Sequence, residues 1–200
     1  RVEGWDDIRL VTIKGLKKRG IVPEAIKQLL TEVGITTQPT NVDWSLISAT
    51  NRKIIDNDVP RFFFVPNPVL LFIENAPTNN SCTIPLHPSN KEFGVRKVKT
   101  NKLFLISHED YEQIKLGEEF RLKDLFNVKI TQKDISQSQI FKQMPKLEEK
   151  HKNFLKNIPN ACIGVFTDRE LKPGPKIQWT LANPEKIIPI EVKEPGVLFI

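Results

Sequence analysis

Short β-rich runs separated by prolines fill the chain from Phe62 onward, and they limit the folds that it can adopt. The 200 residues include 15 prolines but only nine glycines. Because proline lacks the backbone N–H that a central strand needs, each run must be a short strand that ends at a turn. Several short strands at this spacing predict a barrel or a sandwich. The predicted runs are residues 62–65, 69–73, 83–86, 95–98, 103–106, 120–122, 128–130, 162–166, 176–179, 187–192 and 197–200.

The first part of the chain has the three-to-four residue apolar period of amphipathic helices. This period predicts a helix over residues 8–19, which ends in cations and is followed by Gly20. A second helix is expected from Pro23 to residue 33, and a third after Asn41 or Asp43 up to residue 55. Three short helices with tight connections predict a compact bundle.

One segment within the β-rich part breaks this pattern. Residues 131–160 are rich in Lys, Gln, Glu and Ser, with apolar residues only at intervals. Such a composition favours either an exposed helical excursion or a mobile insertion. The chain as a whole is therefore predicted to be α+β. It begins without methionine, which we interpret as a segment of a longer chain.

Composition excludes several classes of protein. No apolar run approaches the roughly 20 residues that a membrane-spanning helix needs, so no membrane partner is expected. The two cysteines, Cys82 and Cys162, lie in no CxxC or Cys/His cluster, so we expect no metal site and no disulfide. Two isolated thiols are typical of a protein of the reducing cytoplasm.

The sequence gives little support for a catalytic site. His87, His108 and His151 are scattered, and GxSxG, HExxH and phosphate-loop motifs do not occur. His87 precedes Pro88 in a predicted turn, where a structural role is favoured over a general base. We therefore predict no catalytic residue in this chain, and a small hydrolase complete in these residues is disfavoured.

Positive charge forms clusters, with 30 Lys and Arg against 24 Asp and Glu. A single cluster is usually an ordinary solvated surface. Several clusters with interspersed aromatic residues instead favour contacts with the phosphates of a nucleic acid. We interpret Trp5, Trp44 and Trp179 as structural. The basic residues concerned are Lys14, Lys17, Lys18 and Arg19, then Arg52, Lys53 and Arg61, then five within residues 91–102, including Arg96 and Lys97, and those of residues 142–156.

Several short motifs are spread along the chain, which reads GWDDIRL at residues 4–10, GLKKRGI at 15–21, PEAI at 23–26, NRKIID at 51–56, PRFFFV at 60–65, GVRKV at 94–98, GEEFRLKDLFNV at 117–128 and KIQW at 176–179. These motifs resemble those of the class I glutamyl- and glutaminyl-tRNA synthetases. Ile8 replaces the proline that the family usually has. The NRKIID and RFFFV spellings are similar to the archaeal and eukaryotic glutamyl enzymes, whereas the glutaminyl enzymes tend to read APRAMAV.

The resemblance implies a fold and a function. Residues 1–60 would form a small helical domain that contacts the tRNA stem. Residues 61–200 would form two antiparallel β-barrels that bind the anticodon, truncated at the C-terminus. An upstream Rossmann catalytic domain of the same chain would bind ATP through HIGH-like and KMSKS-like signatures, which are absent here. The chain would then bind tRNA for glutamate and no DNA, carry no cofactor and be inactive alone.

The resemblance also implies roles for individual residues. The arginine of the family's APR-type motif corresponds to Arg61, and the basic pair of a barrel strand corresponds to Arg121 and Lys123. We expect Arg121 to make the most specific contact, because a guanidinium can donate two parallel hydrogen bonds to a base. The helical clusters would hold stem phosphates. The alternatives are the anticodon-binding region of a glutaminyl enzyme, tRNA for glutamine as an additional ligand, and a free-standing RNA-binding module.

Overall fold

The computed structural model describes residue 2 and residues 4–34, 41–77 and 81–193. The chain divides into two compact units, Arg1–Pro60 together with the segment after Pro189, and Arg61–Pro189. The predicted strand at residues 197–200 lies outside the described residues. No helix in the described ranges is long and apolar enough to cross a membrane.

The described residues of the first unit form three α-helices: α1 (Ile13–Lys18), α2 (Pro23–Val33) and α3 (Trp44–Ile55). Proline occupies the first turn of α2, and the Asp43 carboxylate caps α3 by accepting the Ser45 N–H at 2.7 Å. Both helices thus begin where their sequence signals predict.

The first helix is shorter than the period of residues 8–19 predicts. The Asp7 carboxylate accepts the backbone N–H of Arg9 and its Nε–H, both at 2.9 Å, which folds residues 7–9 into a turn. The Thr12 hydroxyl then caps α1 by accepting the Gly15 N–H at 2.9 Å. Gly15 is required there, because a Cβ would lie 2.5 Å from the Leu10 carbonyl oxygen.

Packing in this unit joins all three helices. Leu16, Leu29 and Ile47 bury their side chains together. The buried Asn51 side chain of α3 accepts the Val22 N–H at 2.9 Å and donates to the Gly20 carbonyl at 3.2 Å. Asn51 therefore ties α3 to the connection between α1 and α2.

The strands of the second unit, within the described residues, are β1 (Pro68–Ile73), β2 (Ser81–Pro85), β3 (Val95–Lys99), β4 (Leu103–Ser107), β5 (Glu119–Leu122), β6 (Asn127–Gln132), β7 (Ala161–Phe166), β8 (Lys176–Ile177) and β9 (Trp179–Leu181). Seven of them form a mixed sheet in the order β8-β5-β6-β7-β1-β4-β9, and β2 and β3 form a separate ribbon. The edge strands β8 and β9 are consecutive in the chain, with only Gln178 between them. The two edges must therefore lie side by side, and the sheet is nearly closed into a barrel.

The α+β class and the barrel-like sheet confirm the predicted fold class. The sheet departs from a purely antiparallel barrel, because β1 pairs with β7 and β5 pairs with β8 in parallel. Gly164 in β7 allows a close approach of strands, since a Cβ there would lie 2.9 Å from Val128 Cγ1. Phe104, Phe126 and Trp179 fill the interior with edge-to-face aromatic contacts.

Three further α-helices accompany the sheet in the part of the chain that the structure describes: α4 (His108–Gln113), α5 (Gln137–Gln143) and α6 (Glu149–Lys156). The last two lie in the segment for which the composition favours a helical excursion or a mobile insertion. They are helical, and they bury Ile140 and Leu155 against the outer side chains of β1, Leu70 and Phe72. β1 is consequently covered on both faces, which explains its continuous apolar sequence.

Candidate nucleic-acid interface

The segment of residues 61–64 is fixed to the barrel-like unit without being a strand. The Arg61 N–H donates to the Leu86 carbonyl at 2.5 Å, and the Phe64 N–H donates to Gln178 Oε1 at 3.0 Å. The predicted strand at 62–65 is therefore wrong, because its hydrogen bonds go to a turn and a side chain. Attachment at both ends holds the three phenylalanines of this segment in place.

The three phenylalanines differ in exposure. Phe63 packs against the interior of the barrel, with its ring edge-to-face to Trp179 at 6.0 Å between centroids. Phe62 and Phe64 instead remain 63% and 46% exposed. Two aromatic rings of this segment are therefore open to solvent, where they could stack with a ligand.

Two cations from separate segments lie close to the rings of Phe62 and Phe63. The Arg96 guanidinium carbon, on β3, lies 5.2 Å from the Phe63 centroid and 5.7 Å from the Phe62 centroid. The Lys123 ammonium, just after β5, lies 5.5 Å from the Phe63 centroid. We call Phe62, Phe63, Arg96 and Lys123, together with the adjoining Phe64, the aromatic–cation cluster. Arg61 adjoins it in the sequence.

The main chain at Lys123 is firmly held. Its N–H donates to the Ile177 carbonyl at 3.0 Å, and its carbonyl accepts the Trp179 indole N–H at 2.9 Å. The side chain is exposed and forms no ion pair within the described part of the chain. Lys123 therefore presents an unneutralised charge from a fixed backbone position.

The β2–β3 ribbon separates two neighbouring basic residues. Arg96 lies on its inner face, opposite Ile84, whereas Lys97 and Lys99 are exposed on its outer face, opposite Thr83 and Ser81. The structure thus brings Arg96 into the aromatic–cation cluster and leaves Lys97 on another surface. Alternation along a strand explains the separation.

Arg121 has a different environment from Lys123. Its Nη1 donates to Asn127 Oδ1 at 3.0 Å, to the Arg169 carbonyl at 3.2 Å and to the Glu170 carbonyl at 3.1 Å. These bonds hold residues 169–170 against the barrel. The geometry supports a structural role for Arg121, and the prediction that it makes the most specific RNA contact gains no support from it.

The basic residues of the helical unit also divide into two kinds. Lys14, Lys17, Arg52 and Lys53 are exposed and form no ion pair with any described residue. Lys18 pairs with Asp6 at 3.0 Å, which holds the pKa of that carboxyl below its usual range. Arg19 is half-buried: its Nε donates to the Ile8 carbonyl and its guanidinium lies 3.9 Å from the Trp44 ring centroid.

Two further features bear on the sequence predictions. In the cluster at residues 142–156, Lys150 pairs with Glu148 at 3.2 Å and with Glu185 at 2.5 Å, and both contacts raise the pKa of Lys150. This cluster is therefore partly neutralised.

His87 is buried, and its Nδ1 accepts the Asn90 N–H at 2.8 Å, as expected of a structural histidine. Among the described residues, no group of three or more His, Cys, Asp or Glu side chains is arranged to hold a metal ion.

Sequence reasoning missed the exposed rings of Phe62 and Phe64. An apolar run of four residues normally indicates a buried strand, so nothing in the pattern identified its outer side chains as exposed. The adjoining Arg61 and Pro60 were the available signal, because cations and a proline beside an aromatic run are typical of an irregular surface segment.

Comparison of the sequence with known proteins relates this chain to one class of enzymes. A family model described as the anti-codon binding domain of the class I tRNA synthetases (E and Q) matches residues 59–146. The catalytic-domain model of the same class matches residues 1–57. This match covers α1, α2 and α3, which the resemblance assigned to a helical domain downstream of the catalytic domain. The two models together match residues 1–57 and 59–146, so most of the chain is similar to the class I tRNA synthetases of this E and Q group.

Curated relatives agree and indicate the glutamate branch. The chain is 46% identical over 129 residues to the glutamate–tRNA ligase of Thermococcus kodakarensis, covering 64% of this chain and 22% of that protein. It is 45% identical over 131 residues to that of Pyrococcus abyssi, covering 64% and 23%. It is 41% identical over 133 residues to that of Methanocella arvoryzae, covering 66% and 23%. The chain thus spans less than a quarter of these relatives. The resemblance to archaeal-type glutamyl enzymes is confirmed.

Proposed function

We propose that this chain is the tRNA-binding region of a glutamate–tRNA ligase, and that the aromatic–cation cluster of its barrel-like unit binds the anticodon loop of tRNA for glutamate. The observation that carries the proposal is the convergence of Arg96 and Lys123 on the rings of residues 62–63. This surface lies within the range that matches the anticodon-binding family model.

The chemistry of the cluster suits an unpaired RNA loop. Sequence-specific RNA recognition uses bases that are splayed out of the loop and stacked on aromatic rings. The exposed rings of Phe62 and Phe64 offer such surfaces, and the nearby cations attract the phosphates between the bases. Arg61 adjoins the rings and is proposed as a further anticodon contact, as are Lys123 and, with less geometric support, Arg121.

The helical unit is proposed to contact the tRNA stem. Its exposed cations can neutralise phosphates, and each neutralised phosphate releases a counterion and adds affinity that carries no sequence information. Lys97 on the outer face of the ribbon is proposed to act in the same way. The proposed stem contacts are Lys14, Lys17, Lys18, Arg19, Arg52 and Lys53.

Attachment of glutamate is proposed for the full-length protein. The HIGH-like and KMSKS-like signatures do not occur in this sequence, so ATP would be bound and the amino acid activated by residues elsewhere in that protein. This chain would position the tRNA and would show no ligase activity alone. We propose that the protein is located in the cytoplasm.

Filter binding with tRNA transcripts that differ only in the anticodon tests the proposal. We expect the chain to bind the transcript for glutamate more tightly than the same transcript with an exchanged anticodon, and to lose affinity as salt rises. Equal binding of both transcripts would contradict an anticodon contact. Ligase activity of the chain with ATP and glutamate would contradict the proposed division of labour.

A further inference from the structure

Phe62 and Arg96 form a pair on the surface of the barrel-like unit. The Arg96 guanidinium carbon lies 5.7 Å from the Phe62 ring centroid, within the range of a cation–aromatic contact. The ring itself remains 63% exposed. A ring held by a cation and still open to solvent can accept a second flat group by stacking.

The hydrogen bonding of Arg96 is incomplete. Its Nε is buried and has no hydrogen-bond partner among the described residues, and no carboxylate there pairs with its guanidinium. A guanidinium has five N–H donors and is charged at every physiological pH. Because no carboxylate of the described residues neutralises it, the guanidinium keeps its positive charge for a ligand that brings oxygen acceptors.

The backbone around this pair is already ordered. Hydrogen bonds from the N–H groups of Arg61 and Phe64 fix both ends of the segment that carries Phe62. Arg96 is fixed by the pairing of β2 with β3, in which it lies opposite Ile84. A ligand that binds here needs to order little of the main chain, which reduces the entropic cost of binding.

We infer that Phe62 and Arg96 together bind a single unpaired nucleotide, whose base stacks on the Phe62 ring and whose oxygen atoms accept hydrogen bonds from the Arg96 guanidinium. This inference deepens the proposed function and rests on it, because it names the nucleotide-binding pair within the proposed anticodon surface. The charge of Lys123 on the same cluster favours a phosphate-bearing ligand over an apolar protein surface.

Abasic substitution tests the inference directly. In a set of tRNA molecules, each unpaired nucleotide of the anticodon loop is replaced in turn by an abasic residue, and the affinity of the chain is measured. We expect one position at which loss of the base weakens binding roughly tenfold, the size of a lost base–aromatic stack. The Phe62→Leu variant should lose a similar factor with intact tRNA and be insensitive to that abasic position.

Two further variants separate stacking from general damage. Phe62→Trp should retain affinity, and its added indole fluorescence should respond to intact tRNA but not to the tRNA that lacks the stacked base. Arg96→Gln should also abolish sensitivity to that position. Leu171→Ala is the matched control, since Leu171 is an apolar residue that is 74% exposed and does not belong to the aromatic–cation cluster.

The outcomes distinguish this inference from the proposed function. If the chain binds tRNA with anticodon preference but Phe62→Leu retains full affinity and full sensitivity to every abasic position, the nucleotide-binding pair is wrong and the proposed function stands. Such a result would leave the exposed rings as a protein-binding surface. If the unmutated chain binds no tRNA, both are overturned.

Discussion

The Arg121 guanidinium donates to Asn127 Oδ1 across a 3.0 Å hydrogen bond between β5 and β6. Asn127 is itself buried, and its Nδ2 donates to Asp168 Oδ1 at 2.6 Å and to the Glu170 carbonyl at 2.8 Å. The two side chains thus act as one clamp on the segment that follows β7. Because its guanidinium is bonded to acceptors of its own chain, Arg121 stabilises the folded unit, and this supports a structural role.

Replacement of Arg121 should therefore destabilise the barrel-like unit. Arg121→Ala leaves the side-chain oxygen of the buried Asn127 without this donor and releases residues 169–170, and we expect the free energy of unfolding to fall by about 1–3 kcal/mol. Arg121→Lys should recover only part of this loss, because one ammonium cannot reach acceptors in the geometry of the planar guanidinium. Urea unfolding followed by tryptophan fluorescence measures both changes. Lys129→Ala, at an exposed position on β6, is the control and should change little. Unfolding of Arg121→Ala at the wild-type urea concentration would rule out the clamp.

Asn51 should be equally important for the helical unit. Asn51→Ala leaves the Val22 N–H and the Gly20 carbonyl without their partner, with an expected loss of about 1–3 kcal/mol. Asn51→Asp keeps the acceptor for the Val22 N–H but places a buried, charged oxygen against the Gly20 carbonyl, so it should also be less stable than the wild type. Circular dichroism during thermal unfolding reports the change. Lys53→Ala, an exposed neighbour on α3, provides the comparison and should unfold as the wild type does.

The helix boundaries show how much local sequence could predict. Pro23 and Asp43 carry their signals within one turn, so α2 and α3 begin where the sequence indicates. The start of α1 depends on the Asp7 side chain binding Arg9, which periodicity does not register. Capping residues can be recognised in the sequence. A side-chain hydrogen bond that shortens a helix cannot.

The barrel and its surface illustrate the same limit at longer range. Most strands were predictable from short apolar runs, but the parallel pairing of β1 with β7 joins residues about ninety positions apart and leaves no local signal. The contrast between Arg121 and Lys123 was likewise hidden, because it depends on acceptors at Arg169 and Glu170. The resemblance to family motifs identified both positions as candidate RNA contacts. It could not show that Arg121 forms hydrogen bonds with acceptors of its own chain.

Lys17 should contribute to tRNA affinity without contributing to anticodon preference. Lys17→Ala removes one unpaired charge, so binding should weaken by a similar factor for all tRNAs, and the slope of log affinity against log salt should fall by roughly one contact. Filter binding across a salt series measures the slope. Lys152→Ala is a suitable control, since Lys152 is already paired with Glu149 at 3.5 Å. An unchanged slope in Lys17→Ala would exclude Lys17 from the phosphate contacts.

Cys162 should be unreactive in the folded protein. Burial disfavours the thiolate and raises the pKa of Cys162 from its ordinary value of 9.0 to about 12, and burial also raises the pKa of Cys82. Because the folded state binds this proton more tightly than the unfolded state, the resulting stability is present below pH 9.0 and is lost as the pH rises toward about 12. Ellman's reagent at pH 8 should modify both thiols slowly in the native chain and rapidly in denaturant. Cys82→Ala isolates the Cys162 reaction, and its rapid modification without unfolding would contradict the buried position in β7.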